Sequence, residues 1–428
     1  MQFTRKEFVE LATLGSLSSF SLLSTPFSLL NIFDTPSDKS IGFTSADMNS
    51  EVEPNMLGSY GPWADGLYGN QPGEYSFRNN RWNDVESWKT AAKERVSELI
   101  VRPDTGETPE VSVISTHTYD GLIIEELSWQ LPFGPPTAAY FVKPQGEGPF
   151  PGIIAMHDHG GNKYFGRRKI VRLHDMHPLM IDHQQNSYGG RALANELAKR
   201  GFAVLVPDVF TFASRRVLLQ DVHPRIRNGV QDVSSSENPG EIDAYNSWAR
   251  DHEHILAKSL FSAGTTWPGV FLAEDQRSLD VLASRPEVDA ENLGCIGLSG
   301  GGLRTVMLTG MDSRIKAGVA AGMVSTWRDY LMYHSFTHTW MIYIPHLPRY
   351  LDYSEIFGLN LSACLVLNNS SDQIFDLDEM KQAEQYLSDV YEKAGETEKF
   401  KAEYYPGNHK FDGPMQDSAY KWMQKWLT

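Results

Sequence analysis

The sequence predicts an α/β protein: a mostly parallel central sheet, antiparallel strands at its N-terminal side, and helices on both faces. Three observations lead there. After Pro151, short continuous apolar runs at 152–156, 202–206, 293–298 and 315–321 alternate with longer stretches of helical periodicity. Apolar runs without polar alternation mark strands buried on both faces, and strand–helix alternation gives right-handed parallel crossovers. Before Pro151, strand-like segments at 111–119, 122–130 and 137–142 are split by turn signals, and Asp120-Gly121 reads as a hairpin. Finally, Gly297-Leu298-Ser299-Gly300-Gly301 joins the run 293–298 to a helical stretch at 303–311, so strand, tight turn and helix follow one another.

Taken in order, the chain opens on Arg5-Lys6 followed by a mostly apolar, Ser-rich run from 11 to 30. That is a signal-peptide pattern, and Thr4 to Val9 resembles a twin-arginine export signal with lysine in place of the second arginine. Residues 1–30 are therefore expected to direct export, leaving a periplasmic or extracellular protein. Residues 31–80, rich in Ser, Pro, Gly, Asn and Asp, read as an arm, and 82–101 reads as a helix with Trp88, Ala91, Ala92, Val96 and Leu99 on one face. The expected division is 1–30 export segment, 31–108 arm and helix, and 109–428 main domain. Within that domain, helices are expected at 192–200, 241–262, 273–284, 376–394 and 419–427, and further strands at 361–367 and 400–405. Long inserts fall at 162–188, 208–240 and 323–358.

The 428 residues carry a formal charge of −16, which excludes nucleic acid as an expected partner. Beyond the N-terminus no run is long and apolar enough to span a bilayer. Cys295 and Cys364 both fall in apolar strands and read as small buried residues rather than a disulfide.

A serine hydroxyl becomes a nucleophile when a base removes its proton and a third group holds that base. Ser299 sits at a strand-to-helix turn whose small neighbours relieve strained backbone. Asp372 follows the strand 361–367, and His409 follows the strand 400–405. Parallel strands bring their carboxyl ends to one edge, so Ser299, Asp372 and His409 are expected to meet there. Anion donors are expected from the amide of Gly300 and from the turn His157-Asp158-His159-Gly160-Gly161, at His159 or Gly160. Trp327 and Trp340, among the aromatics of the insert 323–358, are candidates to stack on a substrate, the alternative being that they bury the insert. Arg215 is a candidate contact for an anionic group, the alternative being a structural ion pair. His174, His177 and His183, and separately His252 and His254, are histidine groups of ligand type, but they read better as solvated side chains, so no metal and no cofactor is expected.

The serine turn, the acid loop, the histidine loop and the turn after 152–156 together resemble the α/β-hydrolase superfamily. The phrases Leu279 to Asp289, Gly201 to Asp208 and Asp372 to Phe375 place the likeness nearest the dienelactone hydrolase and acetyl xylan esterase group, over about 110–428. The resemblance implies an α/β-hydrolase fold and serine ester hydrolysis, often of acetyl groups on plant polysaccharides. The chain departs from it in carrying Gly300 where such acetyl xylan esterases often have glutamine, and serine where dienelactone hydrolases have cysteine. The expected activity is deacetylation of a carbohydrate. A peptidase, an amidase or a lactone hydrolase on the same three residues is the alternative, and a non-catalytic binding protein is a further one.

Overall fold

Nine strands form one sheet in the order β1-β2-β3-β5-β4-β6-β7-β8-β9. They are β1 (Ser112–Tyr119), β2 (Leu122–Trp129), β3 (Thr137–Pro144), β4 (Phe150–Met156), β5 (Ala203–Pro207), β6 (Val288–Leu298), β7 (Ile315–Ala321), β8 (Ala363–Asn369) and β9 (Phe400–Tyr405). This computed structural model describes residues 54–69 and 71–428. The export-like segment 1–30 and the first part of the arm lie outside the described residues. Strands β1, β2 and β3 pair antiparallel, β3 pairs antiparallel with β5, and every pairing from β5 through β9 is parallel. The mixed sheet is therefore the one expected from the two kinds of strand signal.

Among the described residues ten α-helices surround it: α1 (Gly61–Leu67), α2 (Val85–Ile100), α3 (Pro178–Tyr188), α4 (Leu193–Ala198), α5 (Pro239–Ala263), α6 (Trp267–Ala283), α7 (Gly300–Met311), α8 (Tyr353–Phe357), α9 (Leu377–Ala394) and α10 (Gly413–Leu427). Because successive side chains on a strand point to opposite faces, the sheet divides its apolar residues into two cores. Ile154 and Met156 of β4 join α2, α6, α7 and α9 on one face. Ile153 and Ala155 of the same strand join α4 and α10 on the other. Both cysteines are free and buried.

The helix starts that differ most from the sequence expectation share one cause. Helices α5, α6 and α10 begin at Pro239, Trp267 and Gly413, ahead of the expected 241, 273 and 419, and α1 and α3 lie in stretches read as arm and insert. All five carry proline in their first turn. Proline reads as a breaker, yet at the first helical position its missing N–H is one that has no intrahelical acceptor anyway. At α6 the hydroxyl of Thr266 completes the start by accepting from the Gly269 amide at 2.9 Å.

Helix α7, which follows Ser299, is locked to α6 by a buried ion pair. Arg304 and Asp275 are 0% and 1% exposed, and the guanidinium Nε donates to Asp275 Oδ2 at 2.9 Å while Nη2 donates to Oδ1. Removing one partner leaves the other charge uncompensated in the core. Arg304→Met is expected to lower unfolding stability by about 3–5 kcal/mol in urea titration. A loss well under 1 kcal/mol would show that the pair does not anchor the helix.

Candidate active site

Strand β6 ends in the turn that carries Ser299. The residue has φ 55° and ψ −120°, a conformation that L side chains avoid. Three contacts force it: the Ser299 amide donates to Ala321 O at 2.8 Å, its carbonyl accepts from the Leu303 amide at 2.8 Å, and its neighbours leave no room to relax. A Cβ on Gly301 would run into the Met156 carbonyl at the end of β4, and one on Gly300 would lie 2.9 Å from the His159 amide nitrogen. Glycine at these positions is thus a requirement of the close approach between two loops.

Asp372 and His409 meet beside this turn. His409 Nδ1 lies 2.6 Å from Asp372 Oδ2, and the carboxylate is buried, with Oδ1 accepting from the Ile374 amide at 3.1 Å. A carboxylate accepts only, so Nδ1 carries the hydrogen and Nε2 presents its lone pair. That Nε2 is buried and has no hydrogen-bond partner among the described residues. The two loops are tied together: Ser370 donates to Tyr405 O at 2.8 Å, and the Lys410 amide donates to Asn369 Oδ1 at 3.0 Å. Gly322, at φ +57°, lies against the imidazole, where a Cβ would come within 2.9 Å of His409 Cε1.

Ser299, Gly300, His409, His159 and Gly160 all line one cavity of about 380 Å³. The first-turn amide of Gly300 has no intrahelical acceptor, and among the described residues no acceptor takes the amide of His159 or Gly160 either. The turn that holds His159 is built on charges. His159 Nδ1 accepts from the Gly161 amide at 3.1 Å, so its Nε2 donates to Glu253 Oε1, also at 3.1 Å. Glu253, on α5, takes Lys163 Nζ at 2.6 Å and reaches the insert through the Thr339 hydroxyl at 2.8 Å. Burial alone would raise the Glu253 carboxyl, but His159 and Lys163 hold it well below the usual range.

Three expected contacts are corrected by this geometry. Arg215 is 2% exposed and its guanidinium is spent on Glu274 and on the carbonyls of Phe133 and Pro135, so it is a core ion pair away from the cavity. Trp327 is 1% exposed, packed edge-on against Tyr330 and Tyr353 with ring centroids 6.0 and 5.3 Å away. Trp340 is exposed beside Tyr343, outside the cavity wall, and only its backbone amide engages Glu253. The insert does line the cavity, but through Phe336, Thr337, His338, Thr339 and Ile342. Of the histidines expected to be solvated, His174 contacts Thr118 O, His177 contacts Glu237 O and His183 contacts Asp158, while His252 is instead buried and stacked on Trp248, a correction to that expectation. Among the described residues no group of His, Cys, Asp and Glu is placed to hold a metal ion.

The strand order, the strained serine turn and the loop placement of Asp372 and His409 together decide the architecture. The chain has the α/β-hydrolase fold. No protein-family model matches it. It is 24% identical over 332 residues to "Putative hydrolase YtaP" of Bacillus subtilis (strain 168), covering 75% of this chain and 96% of that one. Among solved structures, a "putative acetyl xylan esterase" of Bacteroides fragilis NCTC 9343 superposes with a TM-score of 0.61 at 16% identity, covering 85% of this chain and 87% of the other. A promiscuous CE15 esterase from a marine bacterial metagenome superposes with a TM-score of 0.52 at 12% identity, over 80% of this chain and 93% of the other. In this hydrolase fold no described helix is long and apolar enough to cross a membrane.

His338 closes the cavity from the insert, its ring centroid 4.8 Å from that of Tyr330 and 5.0 Å from that of Phe375. Burial pulls its pKa down to about 3. The folded state therefore refuses a proton that the unfolded chain accepts near pH 6.5, so stability is full above about 6.5 and falls as pH drops toward 3. His338→Phe is expected to keep the packing and to shrink the loss of urea stability between roughly pH 7 and roughly pH 4.5. An unchanged loss would show that the ring is not held neutral.

Proposed function

We propose that the protein is a serine hydrolase of carboxylic esters whose substrate is an acetylated carbohydrate. One observation carries the reading: Ser299 and the free Nε2 of His409 share a cavity, while Asp372 holds the opposite nitrogen of the same imidazole. Ser299 Oγ attacks the ester carbonyl as His409 Nε2 takes its proton, and Asp372 keeps the ring oriented and stabilises the imidazolium. The amides of Gly300 and of His159 or Gly160 receive the oxyanion. His409 then protonates the departing alcohol, leaving an acyl-serine. Water, deprotonated by the same imidazole, releases the carboxylic acid and restores Ser299.

The substrate class rests on the cavity and on the neighbours. Leu303, Met323 and Ile342 give it an apolar wall suited to a small acyl group. Phe336, 78% exposed, offers a ring face at the same cavity, with the Thr337 and Thr339 side chains beside it. An exposed ring flanked by hydroxyls fits a sugar, which has apolar C–H faces and polar edges. The names of the structural neighbours, an acetyl xylan esterase and a CE15 esterase, point the same way. The signal-like N-terminus belongs to the same proposal, placing the enzyme outside the cytoplasm where glycans are met.

With p-nitrophenyl acetate, Ser299→Ala is expected to abolish turnover and Asp372→Asn to lower kcat by about 10⁴-fold with little change in KM. Turnover by Ser299→Ala equal to the parent would overturn the mechanism. With acetylated xylo-oligosaccharides, Phe336→Ala is expected to raise KM about fivefold, from about 1 kcal/mol of lost ring contact, and to leave p-nitrophenyl acetate unaffected. Equal effects on both substrates would remove the sugar platform from the account.

A further inference from the structure

Lys169 is a fully buried lysine in the insert 162–188, packed against the turn His157–Gly161. Its ammonium donates to two consecutive backbone carbonyls, Asp158 O at 2.7 Å and His159 O at 2.8 Å. Each of these carbonyls shares a peptide plane with the next residue's amide: Asp158 C=O with His159 N–H, and His159 C=O with Gly160 N–H. Both peptides are trans, and in a trans peptide C=O and N–H point in opposite directions. One cation that gathers both carbonyls therefore turns both amides the other way. That way lies the cavity, because the His159 nitrogen sits against Gly300 at the serine turn, and His159, Gly160, Gly300 and Ser299 line the same space.

We propose that Lys169 is a positioning residue of the oxyanion site, aiming and polarising the His159 and Gly160 amides toward the carbonyl oxygen above Ser299. The inference rests on the serine-hydrolase reading. A hydrogen bond from a cation to the carbonyl end of a peptide draws electrons from its amide end and strengthens that N–H as a donor. The benefit grows as negative charge develops on the substrate oxygen, so it falls on the transition state more than on bound substrate.

The surroundings of the ammonium fit this role. Asp158 holds its carboxylate away from the cavity, accepting from Tyr188 Oη at 2.6 Å and from His183 Nε2 at 3.0 Å, with Oδ2 at 3.9 Å from Lys169 Nζ. The Asp158 side chain thus serves as a counter-ion for Lys169, behind the turn. Gly160, at φ +53°, must lack a side chain, since a Cβ there would collide with that carboxylate. Burial lowers the Lys169 pKa to about 8, with Lys163 adding to the fall, while Asp158 and Asp208 oppose it. His157, whose pKa burial pulls down to about 3, and the ring face of Phe212 at 5.1 Å complete the surroundings of the ammonium.

The test compares the parent enzyme with Lys169→Met and Lys169→Arg on p-nitrophenyl acetate across pH. Lys169→Met is expected to lower kcat roughly ten- to a hundredfold, part of what a whole oxyanion donor contributes, with KM nearly unchanged. Lys169→Arg is expected to recover most of the rate. The parent profile is expected to lose kcat above roughly pH 8, and Lys169→Arg, whose guanidinium stays charged, to lack that alkaline limb. Should Lys169→Met fail to fold, the alkaline limb and its removal by arginine carry the test alone. A folded Lys169→Met with parental kcat, a loss confined to KM, or an alkaline limb shared by Lys169→Arg would overturn the proposal. A parent enzyme that turns over no ester would instead overturn the hydrolase reading on which it stands.

Discussion

The site depends on a close approach of two backbones. The turn after β6 and the turn after β4 touch directly, because Gly300 and Gly301 present no side chain to His159 and to the Met156 carbonyl. That contact sets Ser299 in its strained conformation and brings the His159 amide beside the start of α7. A strained residue persists only where its surroundings over-determine it. Here parallel pairing of β4, β6 and β7 fixes the strand ends, and the Arg304–Asp275 pair fixes the helix behind the serine. The remaining parts can then be short loops tied to an edge that is already rigid.

Buried charge does the complementary work. A chain of formal charge −16 keeps three cations near the β4 turn, and each is matched: Lys163 with Glu253, Lys169 with Asp158, and Arg167 with Asp208 and Glu126. Such pairs add little net stability compared with a well-packed apolar core, but they are costly to break, so they specify geometry. They also explain the long inserts. Residues 162–188 bring the cations to the turn, and α5, at the end of the second long insert, brings Glu253, which links the turn to the aromatic insert through Thr339.

Much of this was legible in the sequence because it is local. Ser299, Asp372 and His409 each follow a strand legible in the sequence, and parallel topology brings them to one edge without further information. The same locality exposed the mixed sheet through Asp120-Gly121 and the uninterrupted runs. What escaped depends on partners distant in the chain. Glu253 stood between His252 and His254, which read as solvated side chains, and its contacts with Lys163 and Thr339 show its task. Lys169 gave no signal, since nothing in its neighbourhood announces that its amine will reach two carbonyls ten or so residues earlier. Trp327 and Trp340 misled because aromatic residues mark burial and binding alike; the ring that faces the cavity is Phe336.

The central claim is that one strained serine, and no other side chain, is the activated nucleophile. The most direct measurement is labelling of the native protein with a fluorophosphonate, followed by mass mapping of the modified peptide. The account predicts stoichiometric modification at Ser299 in the folded protein and none after denaturation. Modification at another residue, or a native protein that remains unlabelled, would contradict it.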